Sequence, residues 1–414
     1  MNIRISLIIF FFFSLLTYGQ ESSTFSRYGV GDINYGYSAK LLGIGDIGVT
    51  QLDPDHILTT NPASWSVLNR TRIEISLGYK GITVSNDSKS AFTSETQLRG
   101  LTIGVPLSMD NGMGLALGII PYSKVSYVSD KNYPASGDIP EYKVIYKGEG
   151  GIARFFLGTS YSLPFQLKLG ATLDYYFGNL KYYSNLEFNE NSGNVNSSYE
   201  NNHRLNGFGT TLGLISPNLA NALDITFLSD LKIGLSYNFI GTLNNDTLYS
   251  ATSSNVLDTL AYGSVKTTIP SRINAGISFA LSNEHNFILD LVFQPWSNYK
   301  LDNISSDNLR DALKFSFAYE FIPIRNAGIS SLELMVWRAG LSYEQTQYIF
   351  NTTGIDQYSV FGGFTYPLGV DNTLDLGIQY GIRGSQESNI LKENFVKLYL
   401  GISFGELWFM RYEK

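Results

Sequence analysis

Side chains able to make or break bonds are few in this chain, and they do not gather. The three histidines, His56, His203 and His285, lie far apart in sequence. None stands at zinc-ligand spacing from another histidine or from a carboxylate pair. There is no cysteine, which removes thiolate metal sites, disulfides and cysteine nucleophiles together. A serine hydrolase needs a base beside its nucleophile, and His203 followed by Asn206 forms no such pattern. The histidines therefore read as ordinary polar positions, and the chain predicts no enzyme, no metal and no cofactor. Its ionisable residues recur instead at alternate positions of long segments: Arg72 and Glu74, Lys168 and Asp174, then Lys232, Arg272, Asp290, Lys314, Glu320, Asp375, Arg383 and Lys397. A ring of one sign would predict an ion-selective pore. Both signs occur here, which predicts a paired polar network, with Arg72, Glu74, Asp174, Arg272, Asp290, Asp375 and Arg383 as candidate members. The competing reading is a polar channel.

Those positions belong to strands. Val396, Leu398, Leu400, Ile402 and Phe404 are apolar, and Lys397, Tyr399, Gly401 and Ser403 lie between them. Ile233, Leu235, Tyr237 and Phe239 alternate in the same way with Lys232, Gly234, Ser236 and Asn238. A period of two puts one set on each face of a strand. A tilted strand crosses a bilayer in ~9–11 residues. About fourteen segments reach that length, near residues 71–85, 95–107, 112–128, 142–162, 165–188, 199–215, 231–243, 264–281, 286–300, 312–322, 331–349, 356–367, 373–385 and 393–404. The even number suits a bacterial outer-membrane barrel. A water-soluble sandwich also alternates, but its strands usually run about 5–6 residues. Short joints such as Leu163-Pro164 and Ser282-Asn283-Glu284 read as periplasmic turns, and the longer joints as extracellular loops.

Composition and leader agree. Residues 1–19 read as a secretory signal peptide: Arg4, an apolar run over residues 5–16, then Thr17 and Gly19 before a cut at Gln20. That run is short of the ~20 residues a spanning helix needs. Losing Arg4 takes the formal charge from −7 to −8, so a basic surface for nucleic acid is absent. Charged residues are only 16%, against about 25% in soluble domains, and the 28 Tyr and 26 Phe suit aromatic girdles at two membrane interfaces. Residues 69–414 therefore predict a transmembrane β-barrel in the outer membrane, in contact with its lipid and lipopolysaccharide. Residues 20–68 do not alternate and predict a compact irregular segment, with a short helix near residues 55–59. Phe188, Tyr199, Tyr299 and Tyr348 read as extracellular aromatics, of the girdle first and otherwise of a ligand site among the loops.

The irregular segment resembles the FadL family of outer-membrane transporters for hydrophobic compounds. The residues that carry this are the glycine-rich Leu42-Gly43-Ile44-Gly45-Asp46-Ile47-Gly48, then Asp53 and Asp55, then Asn61-Pro62-Ala63 just ahead of the first strand. Further along, Ile269-Pro270 before Arg272, Gln294-Pro295-Trp296-Ser297 and Trp337-Arg338-Ala339-Gly340 match in order. Ser26-Arg27-Tyr28-Gly29-Val30-Gly31-Asp32 and the end of the chain resemble a Bacteroidota branch that includes type IX secretion-associated barrels. The resemblance implies an all-β fold, an antiparallel barrel of about 14 strands with residues 20–68 as a hatch in its lumen. It implies hatch positions at Gly43, Gly45, Gly48, Asn61, Pro62 and Ala63. It also implies two functions: binding or passive transport of a hydrophobic ligand, or a non-transporting partner of the type IX translocon barrel, as plug or cargo shuttle.

Overall fold

The structure, a computed structural model, describes residues 23–86, 89–137, 139–189, 193–254, 256–324, 330, 332–350, 352–385 and 391–406. The signal-peptide region and the last residues, with Trp408 and Phe409, lie outside these. Fourteen strands form one antiparallel sheet: β1 (Thr71–Ser85), β2 (Ser90–Ser108), β3 (Met113–Tyr133), β4 (Tyr142–Ser162), β5 (Lys168–Phe188), β6 (Ser197–Ile215), β7 (Asp230–Ile240, continued by Leu243–Ser253), β8 (Val256–Thr268, continued by Arg272–Ala280), β9 (His285–Gln294), β10 (Ala312–Phe321), β11 (Val336–Phe350), β12 (Thr353–Leu368), β13 (Asn372–Arg383) and β14 (Lys392–Glu406). Each pairs with the next, and β14 pairs with β1 from Lys392↔Ser85 to Glu406↔Thr71. The sheet is closed, so every strand has two neighbours and no long edge remains around the body of the barrel.

Alternation decides which face each residue takes. Ile233, Leu235, Tyr237 and Phe239 point outward and are exposed, whereas Ser236 and Asn238 between them are buried. Leu289, Ile277, Phe315, Leu341 and Ile378 continue the exposed apolar band around the barrel.

The wall is uneven in height. β3, β4 and β5 each have 21 residues, but β9 and β10 have only 10. The tall side ends at β8, whose upper part pairs with β7 along its whole length and, on its other edge, meets only Lys300–Leu301 at Thr267 and Thr268. The break inside β8 falls at Ile269-Pro270-Ser271, where proline has no N–H to offer a ladder. The matching break in β7 is at Gly241-Thr242, and the Gly241 N–H turns to Phe208 O at 3.0 Å.

Residues 23–68 lie against inward-facing side chains. Asp32–Ile33 pairs antiparallel with Lys124 and Ser123 of β3. A one-turn helix, Ala39–Leu42, is capped by Ser38 and packs on β12, β13 and β14. A 3-10 turn, Pro62–Val67, packs on β3, β4, β5 and β6. The helix expected near residues 55–59 is not there. A side chain takes the carbonyl it would need: Asp55 O accepts from Ser403 Oγ at 2.7 Å, leaving it engaged outside any i to i+4 pair. Tyr299 and Tyr348 also depart from expectation. Both are buried in an interior cluster with Phe25, Trp296 and Leu309. A register shift in β11 between Gln345 and Ile349 removes the parity on which a girdle position for Tyr348 rests.

The closing register is directly testable in a chain with no cysteine. Leu77 and Leu400 are register partners, at a Cα spacing of about 4.5–5.5 Å, inside disulfide range. The double variant Leu77→Cys, Leu400→Cys is expected to crosslink under mild oxidant, read as a mobility shift on a non-reducing gel. Leu77→Cys with Ile402→Cys should not, and equal yields would reject the register.

Candidate functional site

Two cavities lie at opposite ends of the barrel, with the N-terminal segment between them. The upper one, about 660 Å³, is lined by Tyr28, Leu180, Tyr182, Leu205, Tyr299 and Leu301, among others, with His203 and Asn245 as polar members. Its floor is the interior cluster of Phe25, Tyr122, Tyr176, Trp296 and Leu309. Aromatic edges fix the shape: Tyr122 meets Tyr176 edge-on at 5.3 Å, and Tyr182 meets His203 edge-on at 5.9 Å. His203 Nδ1 stands 3.1 Å from Asn245 Nδ2, which also donates to Thr267 Oγ1 at 3.0 Å. Burial pushes the Tyr299 hydroxyl up to about 12, so it stays protonated. The lower cavity, about 460 Å³, is charged, with Lys40, Asp53, Asp55 and His56 facing Lys232, Glu320 and Arg338.

Between the cavities the segment is held by side chains from all round the wall. At the top, Arg383 Nη1 donates to Asp32 Oδ1 at 2.9 Å, Tyr348 donates to the same carboxylate at 2.8 Å, and Ser23 donates to Glu393 at 3.0 Å. Burial alone would raise the Asp32 carboxyl, but Arg383 and Lys80, with the Tyr348 hydrogen bond, hold it well below the usual carboxylate range. Lower down, Asp290 accepts from Gly48 N–H at 2.8 Å and Val49 N–H at 3.1 Å. Gly45 and Gly48 both have positive φ, 85° and 70°, a conformation that glycine takes without penalty. Tyr37 donates to Glu74, and burial with that carboxylate beside it pushes the Tyr37 hydroxyl well up.

At the bottom, buried His56 lies between two acids, with Nδ1 at 3.0 Å from Asp53 Oδ2 and Nε2 at 2.8 Å from Asp375 Oδ2. Lys40 pairs with Asp53, and Arg72 with Asp55. Burial, with Arg338 close by, lowers the Lys40 ammonium to about 8.

Asn61-Pro62-Ala63 sits against bare backbone. Asn61 Nδ2 donates to Val49 O at 2.8 Å and to Leu214 O at 3.1 Å, while its Oδ1 accepts from Ala63 N–H at 3.1 Å. The facing wall residues are Gly170 and Gly213. A Cβ on Gly213 would come within 2.0 Å of Asn61 Oδ1, and one on Gly170 within 2.3 Å of the Pro62 carbonyl carbon. Gly43, by contrast, has an ordinary helical φ of −66° and closes the one-turn helix.

Of the seven wall residues singled out by parity, Arg72, Glu74, Asp290, Asp375 and Arg383 hydrogen-bond directly to residues 23–68. Arg272 lies over the Tyr35 ring at 5.4 Å. Asp174 stays within the wall, accepting from Thr172 and Thr211 at 2.8 and 2.7 Å, 3.6 Å from Arg154. Sequence reasoning missed Asp32, Lys40, Arg154, Glu393 and His56 as parts of this network. Only the Asp53 to His56 spacing carried a local signal. Among the described residues no group of His, Cys, Asp and Glu could hold a metal ion.

No curated protein sequence matches this chain significantly. A family profile described as BamG matches residues 1–413. Among solved structures, a Pseudomonas aeruginosa FadL homologue has a TM-score of 0.60 at 12% identity, over 89% of this chain and 98% of its own. The Pseudomonas putida toluene transporter TodX gives 0.59 at 16%, over 91% and 100%. The monoaromatic hydrocarbon channel CymD gives 0.55 at 17%, over 91% and 99%. The fold is thus that of FadL-like barrels.

Two stability measurements follow. Asn61→Ala removes a turn cap and two buried donors, and is expected to cost about 1–3 kcal/mol, read as the urea unfolding midpoint of the purified barrel. Lys40 binds its proton less tightly folded, at about 8, than in its ordinary state at 10.5. The unfolded chain then holds more protons between those values, so stability rises with pH across that window. Lys40→Met is expected to flatten that rise, and an unchanged slope would contradict it.

Proposed function

The chain belongs to the BamG family, and we propose that it is an outer-membrane barrel that binds hydrophobic small molecules in its upper cavity and passes them passively, with residues 20–68 as the hatch that controls passage. The observation that carries this reading is the upper cavity itself. Its volume falls within the ~300–1,000 Å³ typical of small-molecule sites, its wall sets leucines, tyrosines, Val265 and Ile304 among polar side chains, and its lower boundary includes hatch residues Arg27, Tyr28 and Gly29.

The exposed apolar band supports placement in a bilayer, because closure satisfies the backbone that lipid cannot. No described helix is long and apolar enough to cross a membrane, so crossing falls to the strands. Under this reading a ligand enters below the tall arms of β3–β8. It rests against Leu180, Leu205 and Leu301, and leaves when the hatch shifts. The edge of β8 that pairs only with Lys300–Leu301 is the weakest part of the upper wall and the natural place for lateral entry. Passage of this kind makes and breaks no bond. The solved hydrocarbon channels and toluene transporters of the same fold support a hydrophobic substrate.

A second reading is a non-transporting partner barrel of the type IX protein-secretion translocon, in a Bacteroidota branch of these barrels. It draws on the tip of the β7–β8 hairpin, where Leu257, Leu260 and Tyr262 are exposed, a surface suited to protein contact. Proteoliposomes separate the two. The wild-type chain is expected to admit toluene saturably, and Leu301→Asp to slow uptake about tenfold, equivalent to ~1.4 kcal/mol. Wild-type flux equal to empty vesicles, together with extraction from native membranes in a much larger particle, would reject transport in favour of the partner role.

A further inference from the structure

Deep inside the barrel, separate from both large cavities, is a third of about 30 Å³ where the N-terminal segment meets β10, β11 and β14. Its wall carries four cationic side chains, Arg99, Lys314, Arg383 and Lys397, and three carboxylates, Asp32, Asp46 and Glu344. Two of the acids are already engaged. Asp32 is taken by Arg383 and Tyr348, and Glu344 accepts from Tyr35 at 2.9 Å and Gln357 at 3.3 Å.

The remaining acid, Asp46, faces two lysines at once. Its Oδ2 is 3.9 Å from Lys314 Nζ and 3.6 Å from Lys397 Nζ, beyond hydrogen-bond length for either. Lys314 is 2% exposed, and its ammonium stands 4.8 Å from the Tyr35 ring centroid, with Asp46 at 3.9 Å. Arg99, also 2% exposed, donates to Asn34 Oδ1 at 2.8 Å and to Gly36 O at 3.3 Å, while its Nε has no partner. Buried cationic donors are costly unless an acceptor reaches them. Two such groups, with the partly buried Lys397, converge on one small space with one carboxylate between the two lysines.

We propose that this cavity binds a single small monovalent anion of chloride size, held by Lys314, Lys397 and Arg99. One negative charge balances four cations against three carboxylates. The volume exceeds the about 10–15 Å³ that one water needs, so a water beside the anion can serve Asp46 Oδ1, which also lacks a donor. A phosphate ester or fatty-acid headgroup on its chain does not fit that space. Asp46 belongs to the N-terminal segment and both lysines to the wall, so the link between the two runs through the water, which donates to the anion and to Asp46 Oδ1, and seating of the segment becomes halide-linked.

The test uses the full chain purified in detergent. Its thermal unfolding midpoint is followed as chloride replaces gluconate at constant ionic strength, since a ligand bound only by the folded state raises the midpoint saturably. The expected result is a saturable rise with chloride and with bromide, and bromide crystals with an anomalous peak beside Lys314 Nζ. Lys314→Met is expected to weaken the half-saturating chloride concentration at least tenfold. Lys397→Gln serves the same purpose if the first variant does not fold. Equal midpoints in chloride and gluconate, or a bromide crystal with no peak in this cavity, would overturn the proposal and leave a water-filled pocket. The wild-type bromide result decides even if neither variant folds.

Discussion

Closing a sheet of fourteen strands removes its edges but encloses a space that inward side chains alone do not fill. The wall therefore needs something to pack against, and the N-terminal segment supplies it. Small wall residues such as Gly170 and Gly213 are where the two backbones come closest, and the long charged residues are where they stand apart. Polar groups that enter this space lose water and must find partners inside it. Hence the carboxylates of Glu74, Asp290 and Asp375 take up backbone and imidazole donors of the segment instead of one another's lysines. Glycine, charge and cap each answer a different width of the same gap.

The strands were legible because a period of two repeats over more residues than chance or a sandwich strand would give. Which face is polar could also be read, and with it the wall positions that reach the segment. What those residues touch could not. Gly48 and Asp290 are 242 apart in sequence, and nothing local marks them as partners. A short helix was expected near residues 55–59, but Ser403, 348 positions away, claims the Asp55 carbonyl that would open it. Tyr348 looked like a girdle residue until the irregular register of β11 placed it inside. Asn61-Pro62-Ala63 could be recognised by resemblance, whereas its reason, a contact with two bare wall glycines, is visible only in three dimensions.

Wall height divides the molecule into two unlike halves. Over β3–β8 the strands rise well past the apolar band and enclose the leucine and tyrosine cavity. Over β9 and β10 they stop early, and a loop carrying Trp296 and Tyr299 folds back over the interior cluster. The chemistry of the two ends differs accordingly, mixed apolar and polar above and ionic below.

Ser23 and Glu393 are hydrogen-bonded across 370 positions of chain. The start of the described chain thus gains one of its partners only when the last strand is in place. Until then the half-built barrel is an open trough whose inner face is lined with unmatched charges and accessible to water. Such long-range closure is slow, and it places the commitment to the native state at the joining of β14 to β1, when the two ends of the described chain meet.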